Sequence, residues 1–502
     1  MDEISLQKNV LTDRLLRSWV KCRRKSWLDI NGDKSQKTWV AHRALELDNQ
    51  QKSLALLFLT EKPERGLEAC ARGAKNVVGL RLKGETPQGN PLEAHPPVLQ
   101  RIEGSSKWGK FEYRPVLPRQ GRRITREHRL VLAISGFLLG QIQSKDVKEG
   151  MAINLNRKEL QRNKIILKSS LLNQLFESLE KLSLDINKPT PPPLTTDRRK
   201  CTLCSWRSFC NIEAAATGHL SEVSGVGSRR RQMLLELGIS NLSELAETDP
   251  QELSLKLESF GNQHVKVASE LVAQAKAQKA KKIERLSSSS SIPELVKAEG
   301  VLVYDIESDP DAREDFLHGF LEVHRNLNGD LDPEGATYHP LLLAKKQGKK
   351  IAWEKINSLI MRHPDWPILH YGDTELLAIN SIAKHNHASK IELDLLHKRL
   401  VDIHKRVRRK WLLPLNSYTL KTVAAWLGFR WSKDGADGAR ALLWWRQWKN
   451  LSLIKREKSY ILEWIFEYNK DDCLATWTVA EWLLEMDRHS NQKTIKYDNP
   501  KK

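Results

Sequence analysis

"VLVYDIESDP", residues Val301–Pro310, is the stretch on which the reading of this chain turns. Four apolar or aromatic residues run into Asp305, Ile306 and Glu307, and Ser-Asp-Pro follows. As a strand, it puts Asp305 and Glu307 on one face, because side chains alternate with period two. Two carboxylates at the end of a buried strand repel each other and cost free energy unless positive charge lies between them. A divalent cation is the simplest such charge. The competing reading is a strand that frays at Asp305 and leaves both acids solvated in the turn "ESDP".

The residues downstream favour the first reading. "DFLHGFLEVHR" and "ATYHPLLLA" have the pattern of a second and a third strand, followed by the helix "WEKINSLIMRH". A short apolar run, "WPILHYG", leads into the helix "TELLAINSIAKHN", and a long helical pattern, "ILEWIFEYNKDDCLATWTVAEWLLEM", follows later. Strands first, then strands mixed with helices, indicate an α/β domain with a mixed sheet. Glu375 falls at the start of a helix just after an apolar run. Tyr468 and Asp472 are four residues apart and share a helix face. Three acid-bearing elements of this kind suit a two-metal site for phosphodiester hydrolysis, and hard oxygen ligands favour Mg²⁺ or Mn²⁺ over zinc.

"YDIESD", "HYGDTE" and "YNKDDC", in that order, resemble the motifs of the DnaQ-like (DEDD) exonucleases on a ribonuclease H-like fold, most closely the YprB-type branch that follows RecB-like regions. "SYTLKTVAAWLGF", between the second and third motifs, also looks like this branch, and the resemblance covers Gly300–Asp487. It implies that Asp305, Glu307 and Asp472 are metal ligands and that Tyr468 orients or helps deprotonate the attacking water. It also implies 3′–5′ polarity. The second motif departs from the family pattern H-N-x-x-F-D: His370 matches, Tyr371 stands for Asn, and Glu375 falls where Asp is expected, with Asp373 as a rival.

The chain has 502 residues, 82 Lys and Arg against 62 Asp and Glu, and a net charge of +20. Length suggests three domains, give or take one. Basic clusters such as "KCRRKSW", "DRRKC", "GSRRRQ" and "HKRVRRKW" favour a polyanionic partner, although any one of them could be a solvated face. No apolar run has the length of a membrane span and the start has no apolar h-region, so a cytoplasmic protein without a membrane partner is expected. The proline-rich "NKPTPPPLTTD" and the serine-rich "LSSSSSIPE" punctuate the chain. They divide it into a region 1–215, a helical module 216–285, a linker 286–298, an α/β domain 299–490 and a basic tail 491–502. The module "LSEVSGVGSRRRQMLLELGISNLSELAE" resembles a helix–hairpin–helix. There Gly225 and Gly227 would let backbone N–H groups approach a phosphate, with Arg229, Arg230 and Arg231 beside it. A plain glycine turn between packed helices is the other reading.

Six cysteines occur. Cys201, Cys204 and Cys210 form "CTLCSWRSFC", while Cys22, Cys70 and Cys473 stand alone. A tight cluster in a large cytosolic chain suggests metal or iron–sulfur ligation rather than disulfides. The spacing, with Cys22 in "VKCRRKSWLD", resembles the RecB-like iron–sulfur nucleases, which implies a [4Fe–4S] cluster on Cys22, Cys201, Cys204 and Cys210; the residues alone leave zinc as an alternative. Cys70 and Cys473 have no partner in this scheme. His42 in "VAHRALELD" could be that family's first histidine. The other nuclease motifs are broken: Leu117 and Arg119 stand for the acid and lysine, Val131 and Ser135 for Gln and Tyr, and "VLQRIEGS" is the nearest stretch to G-x-x-D. The N-terminal region is therefore expected to be an inactive, restriction-endonuclease-like fold that could still bind nucleic acid. "LLWWRQWKN" could stack bases through Trp444, Trp445 and Trp448, or form a tryptophan-rich core helix.

The expectation is a metal-dependent 3′–5′ exonuclease in the C-terminal domain, with nucleic acid guided by the upstream regions. DNA is slightly favoured over RNA by the helix–hairpin–helix and the RecB-like resemblance. Two alternatives are a non-catalytic iron–sulfur nucleic-acid-binding scaffold and residual activity in the first domain.

Overall fold

The computed structural model describes residues 9–121, 123–156, 159–195, 197–343, 348–449 and 454–497. Part of the basic tail, residues 498–502, and Asn450 at the end of the tryptophan segment lie outside them. The chain is a mixed α/β protein that divides into two units, Met1–Glu213 and Ala214–Lys502. No helix among the described residues is long and apolar enough to cross a membrane.

The first unit holds a six-stranded mixed sheet against which the apolar helix Arg126–Gln143 packs. The four positions read as broken motifs, Leu117, Arg119, Val131 and Ser135, are all buried. Arg119 donates to the Asn163 side chain at 2.9 Å, and the Ser135 hydroxyl to the Val131 carbonyl at 2.9 Å. His42 lies half-buried on the helix Ala41–Leu57.

The second unit opens with short helices around a core that includes Leu220, Val226, Leu234, Leu245, Leu253 and Leu271. Its five-stranded sheet follows: β1 (Gly300–Asp309), β2 (Glu314–Arg325), β3 (Leu331–Leu342), β4 (Ile368–His370) and β5 (Leu400–Asp402). Spatial order is β3-β2-β1-β4-β5, antiparallel among β1–β3 and parallel from β1 through β4 to β5. The helices that matter below are α1 (Gly348–Arg362), α2 (Asp373–His385), α3 (Leu420–Trp426), α4 (Gly438–Trp448) and α5 (Lys455–Tyr497).

Alternation along β1 decides what each face meets. Val301 and Val303 pack with Ala475, Val479, Ala480 and Leu483 of α5. Leu302 and Tyr304 pack on the other face with Ile356 and Leu359 of α1 and Ile379 and Ile382 of α2. Burying each such side chain contributes about 1.5–3 kcal/mol, so the two apolar rows fix the register of the strand. The odd-numbered row then runs on into Asp305 and Glu307, which delivers both acids to the α5 side. The strand does not fray at Asp305. It stays paired with β2 to Asp309, with a bulge between Glu307 and Ser308, and the buried Asp309 is held by Arg446 at 2.8 Å.

One segment differs from its compositional reading, and a second takes the core-helix reading of its two. The serine-rich stretch is fastened: the Ser290 hydroxyl donates to Asp487 at 2.9 Å, and Ser291 donates to it through its backbone N–H (2.6 Å) and its hydroxyl (3.0 Å). The tryptophans of α4 turn inward. Trp444 and Trp445 are buried, Trp445 stacks on Phe316 with ring centroids 4.7 Å apart, and Trp448 stacks on Trp445 at 5.0 Å. They form core, as apolar area at helical spacing demands, rather than an open base-stacking platform.

Candidate active site

Asp305, Glu307 and Asp472 converge. Carboxylate oxygens of all three lie within 4.8 Å of one another. β1 supplies the first two, and α5 brings the third across the α5-facing side of the sheet. One helical turn earlier, the buried Tyr468 hydroxyl donates to Asp472, and Trp431 Nε1 donates to Asp472 Oδ1 at 2.7 Å. Full charges 4.8 Å apart repel by about 3 kcal/mol per pair at an effective dielectric constant near 20.

Glu375 joins this group electrostatically. It sits buried in the first turn of α2, and its charge is felt by both Asp305 and Glu307. Its Oε2 is buried with no hydrogen-bond partner. The rival Asp373 points outward: it is 69% exposed and pairs with Lys405 at 2.6 Å. His370 donates from Nδ1 to the Gly372 carbonyl at 2.7 Å, which shapes the turn leading into the two acids. Tyr371, in the place of the family's Asn, donates its hydroxyl to the Tyr418 carbonyl at 2.7 Å.

Burial, then the neighbouring carboxylates, pushes Asp305 and Glu307 far above the usual carboxylate range. Burial likewise lifts Glu375 to about 7 and Asp472 to about 6, the latter restrained by the Trp431 and Tyr468 hydrogen bonds and by Lys421. Four carboxyl groups thus share one partly water-free place, and each makes the next harder to ionise. A divalent cation reverses that cost, and an orphaned Glu375 oxygen with three converging carboxylates is a donor set of the hard oxygen type that Mg²⁺ or Mn²⁺ prefers.

Three further residues of this site escaped the sequence reading. Lys421, on α3, holds its ammonium 5.1 Å from the Tyr468 ring centre and 5.3 Å from that of Trp431, and donates to the Ala436 carbonyl. Burial lowers its pKa, against the pull of Asp472, Asp437 and Glu307. Asn469 donates from Nδ2 to Asp305 Oδ2 at 2.6 Å and accepts from the Tyr338 hydroxyl at 2.8 Å. Gly319 faces Asp305 across the β1–β2 pair, and a Cβ there would lie 1.6 Å from Asn469 Oδ1. Lys421 and Asn469 both stood inside quoted motifs, and only tertiary placement gives them a role.

Residues 302–484 match a family model described as RNase_H superfamily, RNase_H_2. The C-terminal domain is RNase H-like. No curated protein matches the chain. RNase H-like domains fit nucleases, which are commonly metal-dependent and take nucleic acid as substrate, and the acidic cluster of this domain could hold such a metal.

The other expected site residues are placed as follows. Gly225 has φ +90° and Gly227 precedes the helix Ser228–Glu236. Arg230 turns back to donate to the Gly225 carbonyl at 2.7 Å, Arg231 is half-buried, and Arg229 is exposed. In the first unit, Cys22, Cys201, Cys204 and Cys210 lie near enough to one another that ionising one thiol would oppose ionising the next. Burial first, then the other thiols, raises the pKa of Cys201, Cys204 and Cys210. Beside them, Trp206 donates to Asp29 at 2.9 Å, and Arg24 pairs with Glu213. Cys70 and Cys473 are buried.

Proposed function

We propose that the C-terminal domain is a metal-dependent 3′–5′ exonuclease whose site comprises Asp305, Glu307, Glu375, Tyr468 and Asp472. The observation that carries this reading is the convergence of three carboxylates within 4.8 Å, with a fourth buried beside them. Bound divalent ions would supply an activated water and stabilise the attacking and leaving oxygens of the phosphodiester. The chain's own groups do the rest. Asn469 occupies Oδ2 of Asp305 and leaves Oδ1 for ligation. Tyr468, hydrogen-bonded to Asp472, presents a hydroxyl to orient water on the ligand side. Lys421 offers one positive charge against four carboxyl groups, placed beside Tyr468 to offset negative charge on an approaching phosphate. The inward position of Glu375 supports catalysis over decay of the second motif. The 3′–5′ direction is what the resemblance to the DEDD exonucleases implies.

In the same reading, Cys22, Cys201, Cys204 and Cys210 hold a [4Fe–4S] cluster, with zinc as the alternative. Gly225, Gly227 and the arginines that follow steer the nucleic acid, Arg229 being the most accessible of the three. Deciding polarity requires single strands of DNA and RNA labelled at the 5′ end, half of them blocked at the 3′ terminus. Laddering of the free strands and protection of the blocked ones is expected. Equal degradation of both sets would remove the 3′–5′ assignment.

A further inference from the structure

A second cluster of metal-ligating side chains lies on the same sheet, away from the acidic site. Glu322 of β2 is opposite Leu302 of β1 and Thr337 of β3, five residues along β2 from Leu317, the partner of Glu307. At a strand rise of about 3.3 Å per residue, that is roughly 17 Å. Three imidazoles from three places aim Nε2 at this one carboxylate. His324, two residues on and on the same strand face, donates to Oε1 at 2.9 Å. His363, directly after α1, donates to Oε1 at 2.9 Å, and His339 of β3 donates to Oε2 at 2.8 Å. Ligand atoms of Glu322, His324 and His363 all lie within 4.8 Å of one another.

The rings are held in place before any ligand arrives. His363 stacks on Trp366 with centroids 3.8 Å apart, and His324 meets both rings edge-on, at 5.7 and 4.8 Å. Trp366 is itself fixed. Its carbonyl accepts from Arg399 Nε at 2.7 Å, and its ring lies so close to Gly300 that a Cβ there would stand 2.2 Å away. Ligand orientation of this kind commonly changes metal affinity by about 10–100-fold. The donor set also differs from that of the acidic site. Three imidazole nitrogens and one carboxylate suit zinc, copper or nickel, whereas Mg²⁺ prefers oxygen. Glu322 is buried, with Arg362 3.4 Å from its Oε2, while His324 is 54% exposed, so the cluster has a carboxylate floor and an entrance at His324.

We propose that Glu322, His324 and His363, with His339 as a fourth donor, form a binding site for a first-row transition-metal ion that takes the place of the Nε2 protons now shared with Glu322 and fastens the end of α1 to the sheet. The test uses the full-length protein, stripped with chelator and dialysed against buffered Zn²⁺, with bound metal measured by mass spectrometry. Wild type should hold one more equivalent than His324→Ala at the same free Zn²⁺, since the cysteine and carboxylate sites are common to both. Binding of that equivalent should weaken at least tenfold in the variant. Equal stoichiometry and affinity in the two proteins would overturn the site. If His324→Ala does not fold, Cu²⁺ electron paramagnetic resonance of the wild type decides. Nitrogen couplings from two or more imidazoles support the site, and their absence sinks it.

Discussion

Gly319→Ala is a one-methyl change at a residue with no chemistry of its own, and it should nevertheless disable the acidic site. The added Cβ would stand 1.6 Å from Asn469 Oδ1 and 3.0 Å from the Tyr338 hydroxyl. Ordinary van der Waals contact of a Cβ begins at 3.4 Å, so the Asn469 amide must retreat by more than 1.5 Å. Its 2.6 Å bond to Asp305 and its 2.8 Å bond from Tyr338 then both exceed hydrogen-bonding range. Losing one neutral and one charge-assisted hydrogen bond costs about 2–4 kcal/mol, and a misplacement of about 1 Å in a ligand-bearing carboxylate costs about 100-fold in rate. Thermal unfolding, followed by circular dichroism, should show a lowered transition for the C-terminal unit. Degradation of an end-labelled strand at saturating Mg²⁺ should slow by about two orders of magnitude. Gly319→Ala combined with Asn469→Ala removes the collision, so stability should partly return while activity stays low. A single variant with unchanged melting and activity within twofold of wild type would refute the role given to the Gly319–Asn469–Asp305 chain.

Other perturbations separate other parts of the account. Lys421→Met removes a half-buried cation on which Asp472, Asp437 and Glu307 pull; the concentration of Mg²⁺ giving half-maximal activity should fall while turnover drops about tenfold, measured by metal titration of the cleavage rate. In the first unit, burial alone would raise the pKa of Asp29 and Asp185, but Lys25 and Lys37 beside one, and Arg23, Trp19 and Lys188 beside the other, bring both down to about 2. Since the folded values lie below the unfolded value, the stabilisation is present above about pH 3.8 and is lost as pH falls through 2. Each is worth about 2 kcal/mol, and Asp29→Asn should flatten the acid limb of a urea-denaturation series between pH 4 and 2. Anaerobic protein should carry about four irons and four acid-labile sulfides per chain, by colorimetric assay, and Cys204→Ser should lose them. Stoichiometric zinc instead would replace the cluster with a structural zinc site.

How much of the fold and site is legible in the sequence follows from the range of each interaction. The strand through Asp305 and the helix face shared by Tyr468 and Asp472 are local periodicities, so the sequence carries them directly. The succession of strand and helix patterns indicates the mixed sheet, and the motif order carries the resemblance to a ribonuclease H-like fold. What stayed hidden depends on contacts far apart in the chain. Nothing near Gly319 announces that Asn469, 150 residues later, occupies the space of its absent side chain. Lys421 became part of the site only when α3 was placed against α5. Asp487 fastens a serine-rich stretch that composition alone reads as a loose linker. Glu322, His324, His339 and His363 span some forty residues with no motif spacing, and only the pairing of β2 with β3 and the end of α1 gathers them. The choice between Asp373 and Glu375 illustrates the same limit: two residues apart at a helix start, one faces Lys405 and solvent, the other the carboxylates.

The most direct measurement is Mg²⁺- or Mn²⁺-dependent degradation of single- and double-stranded DNA, RNA and hybrid by the wild-type protein and by Asp305→Asn, prepared side by side. Asparagine preserves the shape and removes one of the mutually repelling charges, so the variant should melt at or above the wild-type temperature in the absence of metal and lose at least 100-fold in rate on whichever substrate is cut. Equal metal-dependent degradation by both proteins would contradict the assignment of the active site to the carboxylates of β1 and α5.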